Sequence, residues 1–181
     1  MGVTSLSSFP SSSSTSYFTA RTSSLSTSPA GQWKYDIFLN FRGEDTRNNF
    51  VDHLYNVLKD RGIYTFRDDQ KLERGKFIKE ELMEAIEESK FAIVVLSENY
   101  ASSTWCLDEL VKIIVCRKYM GMTVLPVFHY VNPSDVRKQR GAFAKPFVEY
   151  EKKGNKERVK KWRDALRQVG NLRGWHLNNY R

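Results

Sequence analysis

The chain has 181 residues, with 29 Lys or Arg against 21 Asp or Glu, a formal net charge of +8 and 40% hydrophobic residues. That size fits one folded domain with an appendage. No stretch approaches the ~18 apolar residues of a membrane-spanning helix, and the start lacks the apolar run of a secretory signal.

Residues 1–33 hold twelve Ser and five Thr, no acid and a single base, Arg21. Such a tract buries too little apolar surface to offset its ordering entropy, and a disordered tail is expected. An organelle transit peptide shares this composition, although one Arg is thin for it. Leu6 stands where a myristoylation signal takes Ser or Thr, which argues against a lipid anchor.

The folded part alternates strand and helix signals. Tyr35, Ile37, Leu39 and Phe41 alternate with less apolar positions and predict a first strand, followed by "RGEDTRNN". Phe50, Leu54, Val57 and Leu58 repeat at helical spacing up to Gly62, which stops that helix. "IYTF" at 63–66 predicts a second strand, and the polar loop "RDDQKLERGK" follows. An acidic helix is expected over 77–88 with Ile78, Leu82 and Ile86 on its inner face. "FAIVVL" at 91–96 reads as a strand covered on both faces. The next helix holds "STWCLDEL" and ends near Gly121; "TVLPVFHY" predicts a fourth strand. Pro133-Ser134 then opens one helix reaching towards Glu151, a basic amphipathic helix runs from about Val159 to Val169, and "GWHL" predicts a fifth strand.

Cys106 and Cys116 have neither disulfide-framework nor metal spacing, which fits a reducing compartment; His53, His129 and His176 are scattered, so no metal site is expected. Residues 152–181 carry ten Lys or Arg against two acids, which accounts for the whole net charge. A basic helix of this kind is either a solvated face or a contact for nucleic acid.

Five strands separated by helices predict right-handed crossovers and a parallel sheet of order 2-1-3-4-5 with helices on both faces. In such sheets ligands gather at the carboxyl ends of strands one and three. Those ends deliver "RGEDTR" and "SENYASSTWCLDEL", with the loop after strand two able to close over them. At ~100° per residue, Leu107, Leu110, Val111 and Ile114 fall within an arc of about 100°, the expected core face. Trp105 and Glu109 fall together on the opposite side, so removing Glu109 is expected to leave the fold intact. Any of Ser102, Ser103 and Thr104 can cap this helix. In the first loop, Gly43 lets backbone approach a ligand and Arg42 and Arg47 suit a phosphate. The same residues also read as a helix start, capped by Asp45 or Thr46. One carboxylate beside an aromatic can stabilise the oxocarbenium-like cation formed when a glycosidic bond breaks, and needs no acid partner when the leaving group is a cationic nicotinamide.

Long motifs carry a family resemblance: "YDIFLNFRGEDTRNNFVDHLY", "FRDDQKLERGKFI", "AIEESKFAIVVLSENYASSTWCLDELVKI", "LPVFHYVNPSDVRKQRGAF" and "WRDALRQVGNLRGWHL". Over residues 34–178 the chain resembles the plant Toll/interleukin-1 receptor (TIR) domain of nucleotide-binding, leucine-rich-repeat immune receptors and of TIR-only proteins, leaving 179–181 as a short C-terminal end. The resemblance implies a flavodoxin-like α/β fold and cleavage of NAD⁺ or NADP⁺ to nicotinamide and linear or cyclic ADP-ribose products in innate immune signalling and cell death. No cofactor is required, because the dinucleotide is the substrate. It implies Glu109 as the catalytic carboxylate and Trp105 as its aromatic neighbour. Arg42, Gly43, Glu44, Asp45, Thr46, Arg47 and Ser97 belong to the substrate-binding region, and Gly75 and Lys76 to a lid. Cys106 matches a cysteine tied to a second activity, making cyclic nucleotide monophosphates from nucleic acid. Family members act when self-associated, partly through a Ser-His pair on the first helix. Here the pair is Asp52-His53, whose added negative charge alters that surface. The implied location is the cytoplasm or nucleus, and the rival reading is a non-catalytic TIR–TIR scaffold.

Overall fold

A computed structural model describes residues 33–67 and 78–177. The Ser/Thr-rich stretch, the lid residues Gly75 and Lys76, and residues 178–181 lie outside the described residues. Strand β1 (Tyr35–Phe41) runs into a single helical turn, α1 (Gly43–Thr46), a wide turn at Arg47–Val51, and α2 (Asp52–Asp60). Then come β2 (Thr65–Arg67), α3 (Ile78–Glu87), β3 (Ser89–Leu96), a short turn of helix at Tyr100–Ser102 and α4 (Thr104–Tyr119). After β4 (Thr123–His129) the chain forms α5 (Pro133–Lys138), a turn at Gly141–Phe143, α6 (Lys145–Lys152), α7 (Lys156–Val169) and β5 (Trp175–Leu177).

The sheet has the expected order β2-β1-β3-β4-β5 with all pairs parallel. The central strands are buried on both faces, and the edges are three residues each. One face carries Phe38, Ala92, Val94, Leu96 and Phe128 and packs on α3, α4 and α7 through Leu82, Ile86, Leu107, Leu110, Trp162 and Leu166. The other carries Ile37, Leu39, Phe41, Ile93, Val95 and Val127, against which Leu54 and Leu58 of α2 are half-buried. Helices therefore cover both faces of a doubly wound sheet. Gly62, with φ of 72°, closes α2 in the left-handed region that its missing Cβ opens.

Two expectations need correction. The helix expected from Pro133 to Glu151 is three pieces. Gln139 turns left-handed (φ 44°) and its carboxamide donates to the carbonyls of Val136 (3.2 Å) and Arg137 (2.8 Å), taking up groups the helix end leaves free. Gly141 then turns again at φ 56°. The second correction concerns α4, whose buried residues are Cys106, Leu107, Glu109, Leu110, Ile113, Ile114 and Cys116. At ~100° per residue they span about 180°, not about 100°, while Val111 is only half-buried. The helix contacts α3, α7, β1 and β4, so it is enclosed on two flanks as well as from the sheet.

Candidate active site

The carboxyl end of β1 and the start of α4, which follows β3, border a cavity of about 240 Å³. Leu39, Phe41, Arg42, Gly43, Glu44 and Arg47 wall it from the β1 side. Ser102, Ser103, Trp105, Cys106 and Glu109 wall it from the α4 side. Of the three capping candidates for α4 it is Ser103 that serves, its Oγ accepting from the Cys106 N–H at 3.2 Å. That cap places Trp105, Cys106 and Glu109 on the first two turns, beside the cavity.

Glu109 is not on an outer face, as its spacing predicts, but buried at 3% exposure. Its carboxylate accepts a 2.7 Å hydrogen bond from Asn40 Nδ2. A buried carboxylate needs such donors, because desolvation alone costs several kcal/mol. Asn40 in turn accepts at Oδ1 from the Tyr100 hydroxyl at 2.5 Å. Burial, and then the neighbouring Cys106 and Glu109, push the Tyr100 phenol well above its ordinary range, against the Asn40 bond, so it stays protonated. Neither Asn40 nor Tyr100 stands out by motif. The available signal is a carboxamide at the end of the otherwise apolar strand "YDIFLNF", where a polar group needs a partner.

Arg42 and Arg47 bring positive charge to the opposite wall. Arg42 donates to Asp45 Oδ1 at 2.5 Å and pairs with Glu44, and the Arg47 guanidinium lies 5.0 Å from the Phe41 ring centroid. Gly43 makes room for that guanidinium: a Cβ there would lie 2.9 Å from Arg47 Nη2. Trp105 is half-buried, and its Nε1 meets no hydrogen-bond partner among the described residues. The Cys106 thiol lies 3.3 Å from the Phe41 carbonyl and is buried.

Three of the expected binding residues stand behind the wall. Asp45 accepts from Ser97 Oγ at 2.6 Å and from the Asn99 N–H at 3.1 Å, and so ties α1 to the segment after β3. Burial raises the Asp45 pKa, but the bonds from Ser97, Arg42 and Asn99 outweigh it and hold the carboxyl below its ordinary value. Neither Asp45 nor Thr46 caps the helix; Arg42 is the N-cap residue and makes no side-chain bond there. Thr46 is buried and its hydroxyl returns to the Arg42 carbonyl at 3.3 Å.

Asp52 and His53 are exposed on α2, away from the cavity wall. Asp52 is paired with Arg67 at 2.6 Å, so its added negative charge is compensated within the chain. On the basic helix α7, Arg158, Lys161, Arg163 and Arg167 each pair with an acid. Much of that charge is therefore engaged internally.

Asp108, next to Glu109, is a junction that the motif alone does not disclose. It accepts from Arg158 (3.1 and 2.6 Å), from Trp162 Nε1 (2.9 Å) and from Lys79 (3.2 Å), joining α4 to α7 and α3. Among the described residues no cluster of His, Cys, Asp or Glu could hold a metal ion, and no helix is long and apolar enough to cross a membrane.

The sequence matches the family described as TIR domain over residues 34–181. It is 55% identical over 164 residues to the disease resistance protein RPV1 of Vitis rotundifolia, covering 91% of this chain and 12% of that protein. It is also 55% identical over 151 residues to the TMV resistance protein N of Nicotiana glutinosa, covering 82% of this chain and 13% of that protein. The chain thus spans about an eighth of the length of these curated relatives. Its fold superposes with a TM-score of 0.75 and 53% identity on the TIR domains of the activated Roq1 resistosome directly recognizing the pathogen effector XopQ, covering 81% of this chain and 89% of that one. Sheet order, motif positions and these similarities agree: the chain belongs to the TIR domain family, and its relatives are plant disease resistance proteins.

Proposed function

We propose that this domain cleaves the nicotinamide–ribose bond of NAD⁺ and so signals in plant defence, acting when TIR domains associate. The observation that carries the reading is Glu109: a buried carboxylate held by Asn40 at the wall of a cavity whose far side carries Arg42 and Arg47. The guanidinium groups suit the pyrophosphate, and Trp105 offers an aromatic face. As the C–N bond breaks, its electron pair leaves with nicotinamide, which departs neutral, and the ribose becomes oxocarbenium-like. The Glu109 carboxylate stabilises that positive charge in a site of low dielectric. Water then bonds to the anomeric carbon and loses a proton, giving ADP-ribose; a nitrogen of the same molecule in place of water gives a cyclic product.

The test incubates concentrated protein with NAD⁺ and follows nicotinamide by chromatography, for wild type and Glu109→Gln. Release by the wild type and none by the variant supports the reading. Equal release by both removes Glu109 from the chemistry. Silence from the wild type at every concentration, crowding included, favours an association scaffold instead.

A further inference from the structure

Asn40, Tyr100 and Glu109 come from three elements, β1, the turn before α4, and α4 itself. Asn40 and Tyr100 are each fully buried at 0% exposure. The carboxamide of Asn40 is surrounded by groups of one polarity on each side. Its Nδ2 faces the Glu109 carboxylate at 2.7 Å and, more distantly, the Cys106 carbonyl at 3.5 Å. Its Oδ1 faces the Tyr100 hydroxyl at 2.5 Å. Both neighbours of Nδ2 are acceptors, so turning the amide over would set oxygen against oxygen. The phenol lies 3.1 Å from the Cys106 carbonyl as well, but it has one proton, and the shorter contact is to Asn40. Polar groups buried this deeply are worth keeping only where each is satisfied.

We infer that Asn40 and Tyr100 are positioning residues for Glu109: the Tyr100 hydroxyl locks the Asn40 carboxamide with its N–H towards the carboxylate. This fixes the carboxylate rotamer at the cavity wall and offers a donor to its ionised form. The inference rests on the NAD⁺-cleaving reading of Glu109. Other charged or titratable groups of the described residues surround the carboxylate. Cys106 lies on its own helix, and Arg42, Glu44 and Arg47 face it from the segment after β1. From α3 and α7, Lys79 and Arg158 are engaged by Asp108, and Glu87 of α3 pairs with Lys112. Asn40 donates to the carboxylate from a fully buried position, and removing it changes the site without adding a charge.

The experiment measures the pH dependence of nicotinamide release by wild type, Asn40→Leu, Tyr100→Phe and Glu109→Gln. With Asn40→Leu, kcat at neutral pH falls about tenfold or more, and the acidic limb of the profile moves up by about one pH unit, the weight of one charge-assisted hydrogen bond. KM for NAD⁺ changes less than about threefold, because neither residue faces the dinucleotide. Tyr100→Phe shifts the limb in the same direction by less. A folded Asn40→Leu with the wild-type limb and wild-type kcat overturns the inference, whereas an active Glu109→Gln overturns the reading beneath it. A second measurement needs no turnover and no folded variant at position 40. In isotope-labelled wild type, the Asn40 carboxamide protons exchange slowly with water and move as Glu109 titrates, and Glu109→Gln abolishes that movement. Fast exchange, or no response to either change, overturns the inference even in a preparation that releases no nicotinamide.

Discussion

Replacing Asp108 with alanine removes a junction rather than a single contact. The Asp108 carboxylate is about one-fifth exposed and binds Arg158 through two nitrogens, Lys79 through one, and the indole N–H of Trp162. The three donors differ in what their loss costs. Trp162 is buried, so its N–H is left without an acceptor, at about 1–3 kcal/mol. The Arg158 and Lys79 side chains are 43% and 52% exposed and return to water. Solvent screening reduces each of those ion pairs to about 0.2–1 kcal/mol. The better helix propensity of alanine returns about half a kcal/mol. The net loss is therefore about 1–4.5 kcal/mol, which for a domain of this size lowers Tm by roughly 2–18 °C. Asp108→Asn keeps an oxygen for the indole and should recover about half of the loss.

Differential scanning calorimetry across pH checks both magnitude and cause. Burial raises the Asp108 pKa, but the bonds from Arg158, Trp162 and Lys79 outweigh it and hold the folded value below the ordinary 3.8. A depressed folded pKa means the stabilisation is complete above the unfolded value and is lost as pH falls through the folded one. The gap between wild type and Asp108→Asn is therefore constant near neutrality and closes as pH drops below the ordinary carboxylate range. A Tm for Asp108→Ala within about 1 °C of wild type, or a gap to Asp108→Asn that survives into strong acid, refutes the reasoning.

Other outcomes follow from the same geometry. Glu109→Gln keeps an acceptor for Asn40 Nδ2 and should melt within about 2 °C of wild type while releasing no nicotinamide; Glu109→Ala leaves that buried N–H orphaned and should cost about 1–3 kcal/mol, read by chemical denaturation. Gly43→Ala sets a methyl 2.9 Å from Arg47 Nη2 and displaces the guanidinium, so KM for NAD⁺ should rise about three- to tenfold with stability changed by less than about 1 kcal/mol, measured by steady-state kinetics and melting. Ser97→Ala removes the 2.6 Å bond that ties Asp45 to the end of β3 and should cost about 1 kcal/mol near neutral pH. Because the folded Asp45 pKa is depressed, that loss also disappears as pH falls through the folded value, which thermal melts in acid will show.

Much of this was legible in the chain. "FAIVVL" has no polar position to turn towards water, so it had to be covered on both faces, and that demand with the intervening helices determined a parallel sheet and the place of its crevice. "RGEDTR" and "STWCLDEL" were bound to meet there, since each leaves the carboxyl end of a central strand. The tertiary structure alone decided which of their side chains face the cavity: Arg42, Glu44, Arg47, Trp105, Cys106 and Glu109 do, whereas Asp45, Thr46 and Ser97 brace the wall from behind. It also decided that the helix after Pro133 breaks at Gln139, whose carboxamide competes for the carbonyls a continuing helix would use. Glu109 shows the limit most clearly. Counting apolar spacing assigns a carboxylate to the outside, because a helix in isolation offers it no partner. Its partner Asn40 lies 69 residues away on another element, and only folding brings that donor within 2.7 Å and makes the burial of the charge affordable.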